Sequence, residues 1–305
     1  MITRLSAALV AMAMAGPVNA ADPVDLASFT ALPRPATSLE VHYGAAPSQA
    51  IDVFLPAGPG PHPVAVLIHG GCWKDIEGAG REQLRHLGPE LTRRGIAVWS
   101  IGYRRADEPG GGYPGTFQDV AHAIDRLRRD ADRYGLDLTR TVLVGHSAGG
   151  HLALWAAARR HLPAVSPLHQ PDPFVPSAVV SLAGIGDLKA FARFVPLLCG
   201  PGIIERLTNT PSAGSGGAYG EISPTALPAP EAHVVMISGV LDRLVPPYVA
   251  YDYARAMRAR GGAPPELLDI PAAGHFDLVT PGTPAWTEVS GRIEAALGLA
   301  RQTSE

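Results

Sequence analysis

Eight short apolar runs, most of them β-branched, recur along the chain with helical stretches between them, and few folds accept that alternation. The runs are Leu39–Tyr43, Ile51–Leu55, Val64–His69, Ala97–Ile101, Val142–Val144, Ala178–Leu182, Val234–Ser238 and Glu266–Ile270. From the third onward they are nearly all apolar, as strands of a parallel sheet covered on both faces should be. The first two alternate more and stand close together, which suits an antiparallel pair at one edge. Helices are expected at Arg81–Arg94, Gly115–Tyr134, Ala148–Arg160, Pro247–Arg260 and Trp286–Leu297. Right-handed crossovers between such elements build an α/β fold with a mostly parallel eight-stranded sheet and helices on both faces.

Two stretches interrupt the rhythm. His161–Pro176 is rich in Pro and reads as an exposed loop. Asp187–Leu227 holds a short apolar helix (Leu188–Leu198) and a Gly/Ser tract (Ser212–Gly220). Inserted after the sixth strand, it is expected to form a small lid over the carboxyl ends of the strands, where open α/β sheets bind ligands. Residues 21–305 are thus expected to form one domain.

The N-terminus reads as an address. Arg4 precedes an uncharged apolar run from Leu5 to Ala15; Gly16 and Pro17 break it, and Val18-Asn19-Ala20 sets small residues where a signal peptidase reads. The run is well short of the ~20 residues that span a bilayer, so cleavage after Ala20 and export to a periplasm or beyond are expected, without stable membrane insertion afterwards. A formal net charge of -3 over 305 residues gives no electrostatic reason to expect nucleic acid as a partner. The 2 cysteines exclude a disulfide-dense scaffold and an all-Cys metal site. In an oxidising compartment Cys72 and Cys199 can pair, and two separate buried thiols are the alternative.

Val142-Leu143-Val144 runs into Gly145-His146-Ser147-Ala148-Gly149-Gly150 and then an apolar helix. A G-x-S-x-G turn between strand and helix holds its serine in a strained conformation, hydroxyl exposed over the sheet. A serine hydroxyl needs a base to become a nucleophile. His275 stands in the loop after the last strand, where that base is expected. An imidazole base needs a carboxylate to orient it. Asp242, after the seventh strand, is the first candidate, with Asp187, Asp269 and Asp277 as competitors. The loop His69-Gly70-Gly71-Cys72-Trp73 follows the third strand, and its N–H groups are candidate oxyanion donors: Gly71 and Cys72, together with Ala148 after the nucleophile. Which N–H groups of that loop point inward stays open. Trp73 and His146 are candidate pocket residues. No paired His or His/carboxylate cluster has metal-ligand spacing on one element, so no metal is expected.

Taken together, His69–Trp73, Gly145–Gly150, Asp242 and His275 resemble the α/β-hydrolase superfamily. The nearer likeness is to the branch containing kynurenine formamidases (arylformamidases) and related carboxylesterases, which carries H-G-G-x-W and G-H-S-A-G-G motifs. Gly102-Tyr103-Arg104 with Pro114 to Val120, Ala183 to Leu188, Ser223-Pro224 and His275-Phe276-Asp277 are similar to further segments of that pattern. The resemblance covers roughly Val41 to Leu297. It implies Ser147 as nucleophile, His275 as general base and then acid, Asp242 as orienting carboxylate, an acyl-enzyme that water hydrolyses, and no need of a metal or organic cofactor. Export fits an esterase on small or aromatic esters better than a formamidase of intracellular tryptophan breakdown. A serine peptidase lacks room here for a gating domain, and a non-catalytic descendant would be expected to have lost a member of the triad.

Overall fold

The strands observed are β1 (Leu39–His42), β2 (Ala50–Phe54), β3 (His62–Ile68), β4 (Ala97–Ile101), β5 (Leu136–His146), β6 (Ala178–Leu182), β7 (His233–Gly239) and β8 (Glu266–Ile270). They form one sheet in the order β1-β2-β4-β3-β5-β6-β7-β8. Only β2 runs against its neighbours, pairing antiparallel with β1 and β4, and the remaining pairs are parallel. The computed structural model describes residues 22–37, 39–210 and 217–299; the expected signal peptide and the first part of the Ser212–Gly220 tract lie outside them.

The apolar runs behave as their composition demands. Val64–Ile68 and Val142–Val144 are buried on both faces. β5 is longer than expected: Leu136 and Asp137 pair with His62 and Pro63 before a register shift carries the ladder into the apolar run. The helices are α1 (Leu26–Thr30), α2 (Leu87–Thr92), α3 (Gly115–Tyr134), α4 (Ala148–Ala158), α5 (Leu188–Phe191), α6 (Val195–Cys199), α7 (Ile203–Thr208), α8 (Tyr219–Ile222), α9 (Tyr248–Ala259) and α10 (Pro284–Ala296). Every residue of α4 is buried, which suits a helix apolar on all sides.

Two expected helices are broken, both at proline. The stretch Arg81–Arg94 is a 3-10 helix over Arg81–Leu84 followed by α2, with Pro89 in its first turn. Leu188–Leu198 divides into α5, a 3-10 turn and α6, and Pro196 stands at the start of α6. A ring nitrogen has no hydrogen to donate and its ring crowds the carbonyl four residues back, so the helix restarts around it.

The segment after β6 is tied to the body of the sheet. The Trp155 indole N–H donates to the Glu221 carbonyl at 2.9 Å and the Tyr113 hydroxyl to Glu221 Oε2 at 2.8 Å, while within the segment the Leu188 N–H donates to Ser223 Oγ at 3.0 Å. Among the described residues no helix is long and apolar enough to cross a membrane.

Candidate active site

Ser147 occupies the junction of β5 and α4 with φ 55° and ψ -119°, in the left-handed half of backbone space. A residue with a Cβ pays for that conformation, and the surroundings must hold it there. They do: the Ser147 N–H donates to the Leu182 carbonyl at 2.8 Å, and α4 lies so close to β3 that any side chain at Gly149 would enter the Ile68 carbonyl. Gly145 is hemmed in by the Gly149 carbonyl in the same way. The turn therefore accepts little besides glycine at these two sites.

The loop after β3 is braced along its length. Gly70 N–H donates to Gln83 Oε1 at 2.8 Å, the Tyr103 hydroxyl donates to the His69 carbonyl at 2.9 Å, and Ala106 N–H donates to the Trp73 carbonyl at 2.6 Å. His69 stacks on Tyr103 with ring centroids 4.2 Å apart and donates from Nδ1 to the Gly70 carbonyl. Its burial pushes its pKa down to about 4, so the ring is neutral. Gly71, Cys72 and Trp73 all have positive φ, at 98°, 58° and 52°. Such a run turns the chain sharply beside the nucleophile turn. Gly70 is consumed by Gln83, whereas the N–H groups of Gly71, Cys72 and Ala148 bond to no acceptor among the described residues. Gly70 itself packs against Ser147, an added Cβ there lying 3.2 Å from the serine Cβ.

His275 and Asp242 meet. The imidazole Nδ1 stands 2.7 Å from Asp242 Oδ2, with both side chains buried. The other carboxylate oxygen accepts the N–H groups of Leu244 at 2.7 Å and Val245 at 2.9 Å, which fixes its plane. With Nδ1 donating to the carboxylate, Nε2 is left as the basic nitrogen. The Ser147 hydroxyl makes no hydrogen bond to His275. The competing carboxylates are engaged elsewhere: Asp187 caps α5 through Ala190 N–H, Asp269 accepts the Tyr251 hydroxyl, and Asp277 Oδ2 accepts Gly274 N–H and Val24 N–H.

One position departs from the expectation. His146 is not a pocket residue: it is buried behind the histidine loop, its Nε2 donating to the His275 carbonyl at 3.1 Å, with the two rings 4.5 Å apart. Residues alternate faces along β5, so the one before the nucleophile turn points into the body of the fold. Burial, with the neighbouring His275, holds its pKa well below the usual imidazole range. Cys72 and Cys199 are joined as a disulfide with Cα atoms 5.5 Å apart, which resolves the alternative of separate thiols. Trp73 does line the cavity beside Ser147.

That cavity has a volume of about 60 Å³ and is walled by Ser147, Trp73, Ile185, Phe191, Val245 and the disulfide. No charged side chain faces it. Sequence reasoning missed Gln83, His151 and the N-terminal residues Val24 and Phe29, all of which hold site residues through contacts distant in sequence. Among the described residues no group of His, Cys, Asp or Glu side chains is arranged to hold a metal ion.

A strand–serine–helix turn, a histidine after β8 and a mostly parallel eight-stranded sheet define the α/β-hydrolase fold. Residues 51–253, about two-thirds of the chain, match the BD-FAE family, and the chain belongs to that family. It is 29% identical over 251 residues to esterase LipC of Mycobacterium tuberculosis, covering 78% of this chain and 60% of that protein. The kynurenine formamidase of Danio rerio is 30% identical over 122 residues, 38% of this chain and 37% of that one. Against the first curated relatives the chain spans between 51% and 60% of their length. Among solved structures, a truncated carbohydrate esterase from gut microbiota superposes with a TM-score of 0.65 at 19% identity, covering 86% of this chain and 98% of that one. An esterase of Thermogutta terrifontis follows at 0.64 and 20%, covering 84% and 90%.

Proposed function

We propose that this protein is an exported serine hydrolase that cleaves carboxylic esters of small acyl groups through an acyl-enzyme. The observation that carries the reading is the 2.7 Å bond from His275 Nδ1 to Asp242, in a loop bonded to His146, the residue before a serine held in a strained strand-to-helix turn. In this reading Ser147 Oγ attacks the ester carbonyl while His275 Nε2 takes its proton. Gly71, Cys72 and Ala148 donate their N–H groups to the oxygen as negative charge builds on it. His275 then returns the proton to the departing alcohol, and water repeats the sequence on the acyl-enzyme. Asp242 stabilises the imidazolium that forms in each half. Export rests on the N-terminal pattern, and a small-molecule ester outside the cytoplasm fits it.

A second reading, an arylformamidase on N-formylkynurenine-like amides, is favoured by the likeness to the kynurenine formamidases of Danio rerio and Aspergillus versicolor, the latter 36% identical over 138 residues. One experiment separates the two. Protein beginning at Ala21 is assayed on N-formylkynurenine and on p-nitrophenyl acetate, butyrate and octanoate, with Ser147→Ala as the blank. Higher kcat/KM on the short esters supports the esterase; a formylkynurenine value far above them replaces it with the formamidase. Export has its own check, the N-terminal residue of the protein recovered from outside the cytoplasm.

A further inference from the structure

We infer that the Cys72–Cys199 disulfide is a specificity-determining wall: it pins the end of α6 against the oxyanion loop and limits the substrate to short, uncharged acyl groups. This rests on the esterase reading of the same site.

The placement of the two cysteines carries the argument. Cys72 lies in the braced loop between Gly71 and Trp73, and Cys199 is the last residue of α6. Both half-cystines, with Leu198, line the cavity that opens on Ser147. On its other side α6 is held only in part, by partly buried Leu198 and its packing on α7. It is five residues long, Leu197 is 86% exposed, and Gly200 and Gly202 follow at positive φ before α7 begins. Val195 is the buried residue at its start; toward the far end Leu198 and Cys199 pack on the core only partly buried, and the covalent link adds to that hold. Cys72, in contrast, sits in a loop whose neighbours are hydrogen-bonded to α4, to Gln83 and to the residues after β4. The bond therefore ties a weakly held element to a firmly held one.

The size of the space follows. A dry apolar cavity of roughly 150 Å³ accepts benzene, six carbons. At the same density, about 60 Å³ accepts two or three heavy atoms, so the chain beyond the carbonyl extends no further than that of a butyryl group. The lining of Trp73, Phe191, Ile185, Val245 and sulfur offers a carboxylate or ammonium no partner, so charged acyl groups are excluded by desolvation.

The test measures a ratio. Oxidised protein from Ala21 is compared with the same protein after treatment with a phosphine, which opens the disulfide to two thiols and is itself oxidised, and with Cys199→Ala and Leu198→Ala. kcat/KM is taken for p-nitrophenyl acetate and octanoate, and circular dichroism checks each sample for folding. Opening the wall should raise the octanoate-to-acetate ratio on the order of tenfold, mainly through a lower KM for octanoate. Leu198→Ala keeps the disulfide and should move the ratio in the same direction, so the wall is tested even where loss of the bond unfolds the chain. If both rates fall together and the ratio stays within about twofold in every sample, the bond only braces the oxyanion loop and the inference is overturned. A wild type that turns over no ester removes the esterase reading itself, and that outcome is distinct from active enzyme with an unmoved ratio.

Discussion

The Trp73 indole N–H donates to His151 Nδ1 at 3.2 Å, and the opposite nitrogen of that imidazole donates to the Ile222 carbonyl at 2.8 Å. One fully buried ring thus joins the candidate oxyanion loop to the end of α8, and it can do so only as the neutral tautomer with its proton on Nε2. Burial pushes its pKa down to about 4, as it does that of His69. In the unfolded chain both rings titrate near 6.5. Between those values the unfolded state binds the extra protons, so stability is fully present above about 6.5 and is lost as pH falls toward about 4. Each ring puts on the order of 3 kcal/mol at stake across that window. Urea midpoints measured between pH 7.5 and 4.5 should decline continuously; a midpoint that holds steady down to 4.5 would contradict the buried neutral assignment.

The pairing of His275 with Asp242 makes a sharper claim about rate than about folding. Asp242→Asn keeps two acceptor positions for Leu244 and Val245 but turns an amide toward Nδ1, which disfavours the tautomer with a basic Nε2. Turnover should fall by about 10⁴, as in the serine-protease precedent, with little change in melting temperature. Ser147→Ala should abolish ester hydrolysis and leave a folded protein. Near-normal turnover in Asp242→Asn would move the orienting role to another carboxylate, and Asp187 is then the one to test.

What could be seen in the sequence and what could not divides by contact distance. The nucleophile turn is legible because strand, serine, glycines and helix are consecutive, and the constraint on Gly149 acts within the motif and its neighbouring strand. His275 is legible because its loop follows the last apolar run. By contrast, Gln83 reaches Gly70 across 13 residues and the Val24 N–H meets Asp277 across 253, and no local periodicity encodes either. His146 was misread for a related reason: its motif position is local, but the side it faces is set by the pleat of β5. The disulfide falls between these cases, since composition offered the two cysteines and only the docking of α6 brings them together.

Gln83 is a positioning residue whose loss should be readable in kcat alone. Its side-chain oxygen is the acceptor for Gly70 N–H, and its own site is buried under the loop. Gln83→Ala frees the first turn of the oxyanion loop while leaving Gly71 and Cys72 in the chain. A shift of about 1 Å in such donors costs on the order of 10²-fold. We expect kcat to drop by that order with KM within a few-fold. A loss confined to KM would mean the loop binds substrate without acting on the transition state.

Asp277 makes the N-terminal segment part of the site. Its Oδ2 accepts Gly274 N–H at 2.9 Å and Val24 N–H at 3.0 Å, so one carboxylate oxygen clamps the residue before His275 to the residues just beyond the expected cleavage point. Phe29, buried on α1, reinforces the clamp by stacking on Phe276 with centroids 4.9 Å apart. Asp277→Ala leaves two N–H groups without their acceptor, a penalty of about 1–3 kcal/mol each where they stay dry. A chain starting at Ala31 loses Val24 and Phe29 together. Each change should lower kcat at least tenfold, because the loop that carries the imidazole is no longer fixed. The two losses should also be strongly non-additive, since both break the same bond. Rates that multiply in the combined variant would show that the segment supports the enzyme somewhere other than the His275 loop.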